Sequence, residues 1–131
     1  GDLFIDNIFF KKNKFVGFID FYFSCTDYSI YEIAICINAL CFDKIKKKYL
    51  LNKKKVKNLI KGYQSVRKIS QKEKNALNIL CRAAALRYLL TRIYDYFNTP
   101  KTALISIKDP KEYFQKLIVH NNLNNYKDYY N

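Results

Sequence analysis

The sequence predicts a mainly α domain that opens with a short β-hairpin and continues with about four helices. Three observations carry this. Residues 8–10 (IFF) and 15–20 (FVGFID) are apolar runs split by the polar tetrapeptide KKNK, the pattern of two strands joined by a turn. Beyond Asp27, apolar residues recur at spacings of three and four, the helical period. Start and stop signals then divide the rest: Ser70 with Glu73, Asn98-Thr99-Pro100, and Asp109-Pro110.

Asn13 suits the turn of the hairpin. Antiparallel pairing brings the start of the first strand, at Asn7, beside the end of the second, at Asp20. YSIYEIAICINALCFD places Ile30, Ile33, Ala34, Ile37, Leu40 and Cys41 on one face of a helix of about four turns. KIKKKYLLNKKK reads as a solvated, lysine-rich loop, and KVKNLIKGYQSV as a shorter helix whose Val56, Leu59, Ile60 and Tyr63 share a face.

Ser70-Gln-Lys-Glu73 is a capping box that opens one long helix running to about Phe97. Its row Ala76, Leu80, Ala83, Arg87, Leu90, Tyr94, Phe97 is apolar apart from the arginine, which predicts a central helix. Pro100 stops it. Asp109 is placed as N-cap of a last helix, with Pro110 first and Glu112 third. The polar, aromatic tail NNLNNYKDYYN is expected to fray. With no internal repeat and no composition break, residues 1–131 read as one domain.

Half the residues are hydrophobic and 17% aromatic, which excludes a disordered chain. The formal charge of +13 comes from 20 Lys against only 4 Arg, alongside abundant Asn, Ile, Tyr and Phe. That is the mixture an AT-rich coding sequence gives, so the charge argues only weakly for a nucleic-acid partner. Cys25, Cys36, Cys41 and Cys81 have no CxxC spacing and His120 is the sole histidine. They read as reduced thiols of a cytoplasmic protein, not zinc ligands. No apolar run reaches the roughly 18 residues that span a bilayer.

The stretch GDLFIDNIFF sets Asp2 and Asn7 in a D-x-x-x-x-N spacing, followed by a hairpin ending in I-D-F at Asp20. Protein kinases use this order: an Asp that accepts the substrate hydroxyl, an Asn five residues on that binds magnesium, and an Asp after the next hairpin that also binds magnesium. Magnesium takes hard oxygen ligands and keeps several waters, so one carboxylate and one amide oxygen suffice beside nucleotide phosphates. A separate carboxylate is needed at the attacking hydroxyl. The spacing alone is equally that of two Asx turns flanking a hairpin.

The segments GDLFIDNIFF, GFIDFYFSCTDYSIYEIAICINALCF, GYQSVRKIS, RAAALRYLLTRIYDYFNTP and KDPKEYFQKL together resemble the C-terminal part of bacterial homoserine kinases of the aminoglycoside-phosphotransferase fold. The resemblance implies the C-terminal, acceptor-side lobe of a kinase-like α+β fold. It makes Asp2 the catalytic base, Asn7 and Asp20 the magnesium ligands, Mg²⁺ with ATP the cofactor and co-substrate, and L-homoserine or a similar small hydroxyl compound the acceptor. The family histidine would lie just before Gly1. Ile5 replaces the usual Pro, and Glu32 stands where the family has Asp. Only three Gly occur and no glycine-rich loop, so the N-terminal nucleotide-binding lobe is expected to be missing.

For an amino-acid acceptor, Asp27 is suited to pair with the ammonium, and Arg87 or Arg82 with the carboxylate. Alternatives stay open: Asp27 as the N-cap of the next helix, Arg87 in an internal ion pair with Glu32, and Arg92 and Asp95 in local surface contacts. Two other readings also remain, an inactive remnant or half of a split kinase, and a basic module that binds nucleic acid through its lysine runs.

Overall fold

The computed structural model describes residues 1–100, 102, 104 and 106–130. A 3-10 turn at Ile5–Asn7 leads into strands β1 (Ile8–Lys11) and β2 (Lys14–Phe18), followed by helix α1 (Ser29–Leu40). A second strand pair, β3 (Phe42–Ile45) and β4 (Lys48–Leu51), precedes α2 (Lys53–Gln64), the long α3 (Gln71–Asn98) and α4 (Lys111–Asn121). A 3-10 turn at Tyr126–Tyr129 closes the chain. The mainly α architecture with an opening hairpin is the expected one.

β1 and β2 pair antiparallel with Ile8 opposite Phe18, and a bulge falls between Phe9 and Phe10. Lys12 and Asn13 form the turn with φ of 47° and 62°, the left-handed backbone whose twist matches the flanking strands. The Ser70 capping box forms as expected, with reciprocal bonds to Glu73. These hold the Glu73 carboxyl at about 2, chiefly through the Ser70 backbone and side chain and then Arg67.

Three expectations are corrected. KIKKKYLLNKKK is not a loop: it supplies most of the β3–β4 hairpin and the start of α2. The hairpin is stitched to α4 by Gln115, which accepts from Tyr49 N–H at 3.1 Å and donates to Lys47 O at 3.1 Å. The tail is not frayed: Asn125 and Asp128 cap the final turn and Tyr129 is fully buried. In α3 the buried face is Leu77, Cys81, Ala84, Ala85, Tyr88, Leu89 and Arg92, while Ala83, Arg87, Leu90, Tyr94 and Phe97 of the expected row are exposed. A helix apolar on nearly every side does not declare its inner face by hydrophobicity. Ala84 and Ala85 lie on the buried face, whereas the equally small Ala83 is exposed.

α1 and α3 form the centre, with α4 against α3 and α2 against α1. One buried cluster gathers Ile33, Ile37, Val56, Leu77 and Tyr129, and a second gathers Ile35, Ala84, Ala85, Tyr88 and Tyr113. Across the interior runs a polar chain. Asn38 donates to Ala34 O and Cys81 O, each at 3.0 Å. Its Oδ1 lies 3.1 Å from His120 Nε2, and His120 Nδ1 lies 3.1 Å from the Tyr129 hydroxyl. Because the Asn38 amide nitrogen is spent on two carbonyls, its oxygen must accept; His120 therefore carries its proton on Nε2 and Nδ1 accepts from Tyr129.

Cys36, Cys41 and Cys81 are buried and Cys25 is exposed, all four free. Burial pushes the Cys36 and Cys41 thiols up to about 12, which makes them unreactive packing groups. Among the described residues no helix is long and apolar enough to cross a membrane.

Burial, and secondarily the Lys116 charge, lowers the His120 pKa to about 4. The unfolded state therefore binds the extra proton first, and stability falls as pH drops from the ordinary histidine value towards 4. Denaturant titrations at pH 7 and pH 4.5 are expected to differ by about 2–3 kcal/mol from this group, and His120→Gln should flatten the difference.

Candidate active site

The opening segment lies against α1 and α3. A Cβ on Gly1 would sit 2.5 Å from the carbonyl oxygen of Phe23, so only glycine lets this segment approach the stretch after β2 so closely. The Gly1 nitrogen lies 2.7 Å from Glu32 Oε2 on α1. From α3, the Tyr88 hydroxyl reaches Asp2 Oδ1 at 3.1 Å and Gly1 O at 3.2 Å. The Phe4 ring meets the Tyr88 ring edge-on, 5.2 Å between centroids. Tyr88 of α3 thus holds Asp2 itself, and Glu32 of α1 holds the residue before it.

Asn7 Nδ2 donates to the backbone carbonyl of Asp2 at 3.1 Å. This spends the amide donor on the loop and turns Oδ1 away from it as a hard oxygen ligand. Ile19 N–H donates to Asn7 O at 3.1 Å and extends the β1–β2 ladder to the residue before Asp20. Asp20 has φ of 61°, a left-handed backbone that Asp tolerates better than most residues but that still carries strain. Asp2, Asn7 and Asp20 line one open cleft of about 600 Å³, together with Arg87, Arg92 and Asp95.

An adjoining cleft of about 520 Å³ is lined by Asp27, Glu32, Tyr31 and Arg87, so Arg87 and Phe23 border both spaces. Asp27 Oδ1 accepts from the next residue's N–H, at 2.6 Å. It is not the helix cap: that position is Tyr28, without a side-chain bond. Arg87 does not pair with Glu32, which is held by Gly1 instead. Its guanidinium lies 5.1 Å above the Tyr88 ring. Burial acts to lower the Arg87 pKa, but the Tyr31 hydroxyl, then Tyr88 and lastly the charge of Asp2 outweigh it, so the group is held more firmly cationic than usual.

Arg82 stands apart. It is five residues before Arg87 and so about 140° away around the helix, it lines neither cleft, and its charge acts on Tyr129. Arg92 is the arginine that sequence reasoning placed wrongly at the surface. It is 9% exposed, stacks 4.4 Å above the Tyr113 ring, and donates from Nη1 to Glu112 Oε2 at 2.8 Å and Asp109 O at 3.2 Å. Burial raises the Glu112 pKa, yet the bonds from Arg92 and Lys116 leave it lowered overall. The five-residue offset of Arg92 from Arg87 has the same size as that of Arg82, so spacing along the helix gave no signal that it borders the cleft.

The chemistry is that of hard oxygen donors beside a free carboxylate, bordered by cations. Asn7 Oδ1 and the Asp20 carboxylate fit a magnesium ion that keeps waters and takes phosphate oxygens. Among the described residues no group of three or more His, Cys, Asp and Glu side chains forms a self-sufficient metal cage.

A profile of the phosphotransferase enzyme family matches residues 1–53, the part that carries Asp2, Asn7, Asp20, Asp27 and Glu32. The short hairpin followed by helices is consistent with the C-terminal lobe of a kinase-like fold. More particularly, the chain is similar to the homoserine kinase of Acidiphilium cryptum, at 47% identity over 98% of this chain and 39% of that protein. The homoserine kinase of Agrobacterium fabrum is 48% identical over the same shares, and that of Brucella anthropi 44% identical over 98% and 38%. The chain spans about two-fifths of the length of the curated relatives it matches.

Asp20→Gly relieves the left-handed backbone while removing the carboxylate, and gains chain entropy in the unfolded state. The two effects oppose, so stability should stay within about 1 kcal/mol of the parent. Paramagnetic broadening by Mn²⁺, used as a magnesium probe, is expected at Asn7 and Asp20 in the parent and should be lost in this variant.

Proposed function

We propose that this chain is the acceptor-side lobe of an ATP-dependent homoserine kinase. The observation that carries the reading is the convergence of Asp2, Asn7 and Asp20 on one cleft bordered by Arg87, in a chain similar to homoserine kinases along nearly its whole length. In this reading the acceptor's primary hydroxyl sits against the Asp2 carboxylate. Its oxygen attacks the γ-phosphorus of ATP, the bond to the β–γ bridging oxygen breaks, and ADP leaves. Asp2 orients the hydroxyl and receives its proton as the new P–O bond forms. The product is O-phospho-L-homoserine, a precursor of threonine, made in the cytoplasm.

Asn7 and Asp20 would hold Mg²⁺, which neutralises charge on the phosphates. Arg87 faces both clefts and is the bidentate partner for the acceptor carboxylate, with Asp27 across the adjoining cleft for the ammonium. We assign Arg82 no part in this.

An N-terminal lobe completes the reading by holding the nucleotide. Support for such a lobe comes from the first hairpin, whose Phe10, Phe15 and Phe18 rings meet one another and are each about half exposed. A contiguous apolar face of this kind marks an interaction surface. The same surface favours the split-kinase reading over a chain that works alone.

Combining this chain with a nucleotide-binding lobe, joined or separately expressed, should give L-homoserine-dependent ADP release. Asp2→Ala should then lower kcat by about 10²–10⁴-fold, the usual contribution of a positioned base, with its denaturation midpoint little changed. Near-parental turnover in Asp2→Ala overturns the assignment of the base. Release driven by another hydroxyl compound instead of L-homoserine overturns the acceptor.

A further inference from the structure

We propose that Tyr88 is a positioning residue for the Asp2 carboxylate, a role that rests on Asp2 being the base of a phosphotransfer reaction. The Tyr88 hydroxyl has one hydrogen and two acceptors in reach, Asp2 Oδ1 at 3.1 Å and Gly1 O at 3.2 Å. A hydrogen bond to an anion is roughly twice as strong as one to a neutral carbonyl. The proton therefore goes to Asp2.

The donor has little freedom to turn elsewhere. Tyr88 is 8% exposed, and its ring is fixed by Phe4 on one side and by Tyr113, 5.2 Å away and tilted 35°, on another. The Arg87 guanidinium lies over it at 5.1 Å. Burial and the neighbouring Asp2 charge both push the phenol pKa up, so it is a protonated donor at neutral pH. With Oδ1 engaged, rotation of the carboxylate is arrested and Oδ2 is left for an incoming hydroxyl. Small misplacements of a reacting group are costly in rate. A rigid helix thus aims a side chain that sits on an irregular loop.

Tyr113 supplies a built-in control. It belongs to the same aromatic stack and is fully buried, yet among the described residues its hydroxyl has no hydrogen-bond partner. Removing that hydroxyl leaves nothing newly unpaired. Tyr88→Phe and Tyr113→Phe are therefore matched in size and surroundings, and differ in whether the lost hydroxyl touches Asp2.

The first measurement needs no turnover. The ¹³C resonance of the Asp2 side-chain carboxyl, followed in this 131-residue chain at neutral pH, is expected to move in Tyr88→Phe and to stay in place in Tyr113→Phe. An unmoved resonance in Tyr88→Phe overturns the proposal. The second uses the chain combined with a nucleotide-binding lobe. Tyr88→Phe should lower kcat about tenfold with KM for Mg·ATP unchanged, and should add nothing on an Asp2→Ala background. An equal loss in both backgrounds means a merely structural tyrosine and also overturns it. If the resonance moves but L-homoserine is not phosphorylated, the acceptor reading fails while the Tyr88–Asp2 contact stands.

Discussion

The hydrogen-bonded chain from Asn38 through His120 to Tyr129 is the constraint on which the rest of the structure depends. It crosses α1, α3, α4 and the C-terminal turn within the space of three side chains. Each link leaves the next no choice of role, because Asn38 has spent both amide hydrogens on carbonyls before it meets the imidazole. An unpaired polar group in such a place would forfeit its full desolvation cost, so the four elements must adopt one mutual arrangement to keep every group satisfied. Lys116 adds a charge to this interior. It donates to Asn38 O at 2.7 Å and to Glu112, and stands within 4.5–5.5 Å of the Tyr113, Phe42 and Tyr49 rings. A buried ammonium is tolerated only with partners of this kind.

That frame fixes α1 against α3, and the two helices in turn hold the cleft. Glu32 of α1 binds the segment's first residue while Tyr88 of α3 binds its second. Arg87 and Arg92 follow from the same helix at successive turns and border the space where a substrate anion would lie. The Asp2 carboxylate is therefore carried by a loop but aimed by helices, which gives more precision than a loop alone provides.

What could be read in the sequence was whatever local chemistry decides. The KKNK turn, the Ser70–Glu73 capping box and the α1 face at Ile30, Ile33, Ala34 and Ile37 depend on neighbours within a few residues. So do Asp2 and Asn7, whose loop bond spans five positions. The β3–β4 hairpin was illegible because its lysines mask a strand alternation whose worth lies in Gln115 and Lys116, more than sixty residues away. The buried tail depends in the same way on Asn78 and His120, and Arg82 and Arg87 looked equivalent until the rotation of α3 was known. Hydrophobicity could not supply that rotation for a helix apolar all round. Arg92 was misplaced for the same reason.

The two halves of the cleft are anchored unequally. Asp2 is held directly by Tyr88 of α3 and through its neighbour Gly1 by Glu32 of α1, whereas Asp20 sits after an exposed hairpin in a strained backbone and is tied back through Ile19 N–H to Asn7. Asn7 in turn is tied to the backbone of Asp2. The Asn7 and Asp20 oxygens therefore take their position from the Asp2 loop rather than from the core, and the order of dependence runs from α1 and α3 to Asp2, then Asn7, then Asp20. A disturbance at the hairpin tip can shift Asp20 while Asp2 stays fixed, but loosening Asp2 from α1 and α3 displaces all three groups together. Segments with few buried contacts open most readily. This asymmetry places the adjustable part of the cleft at Asp20 and the fixed part at Asp2.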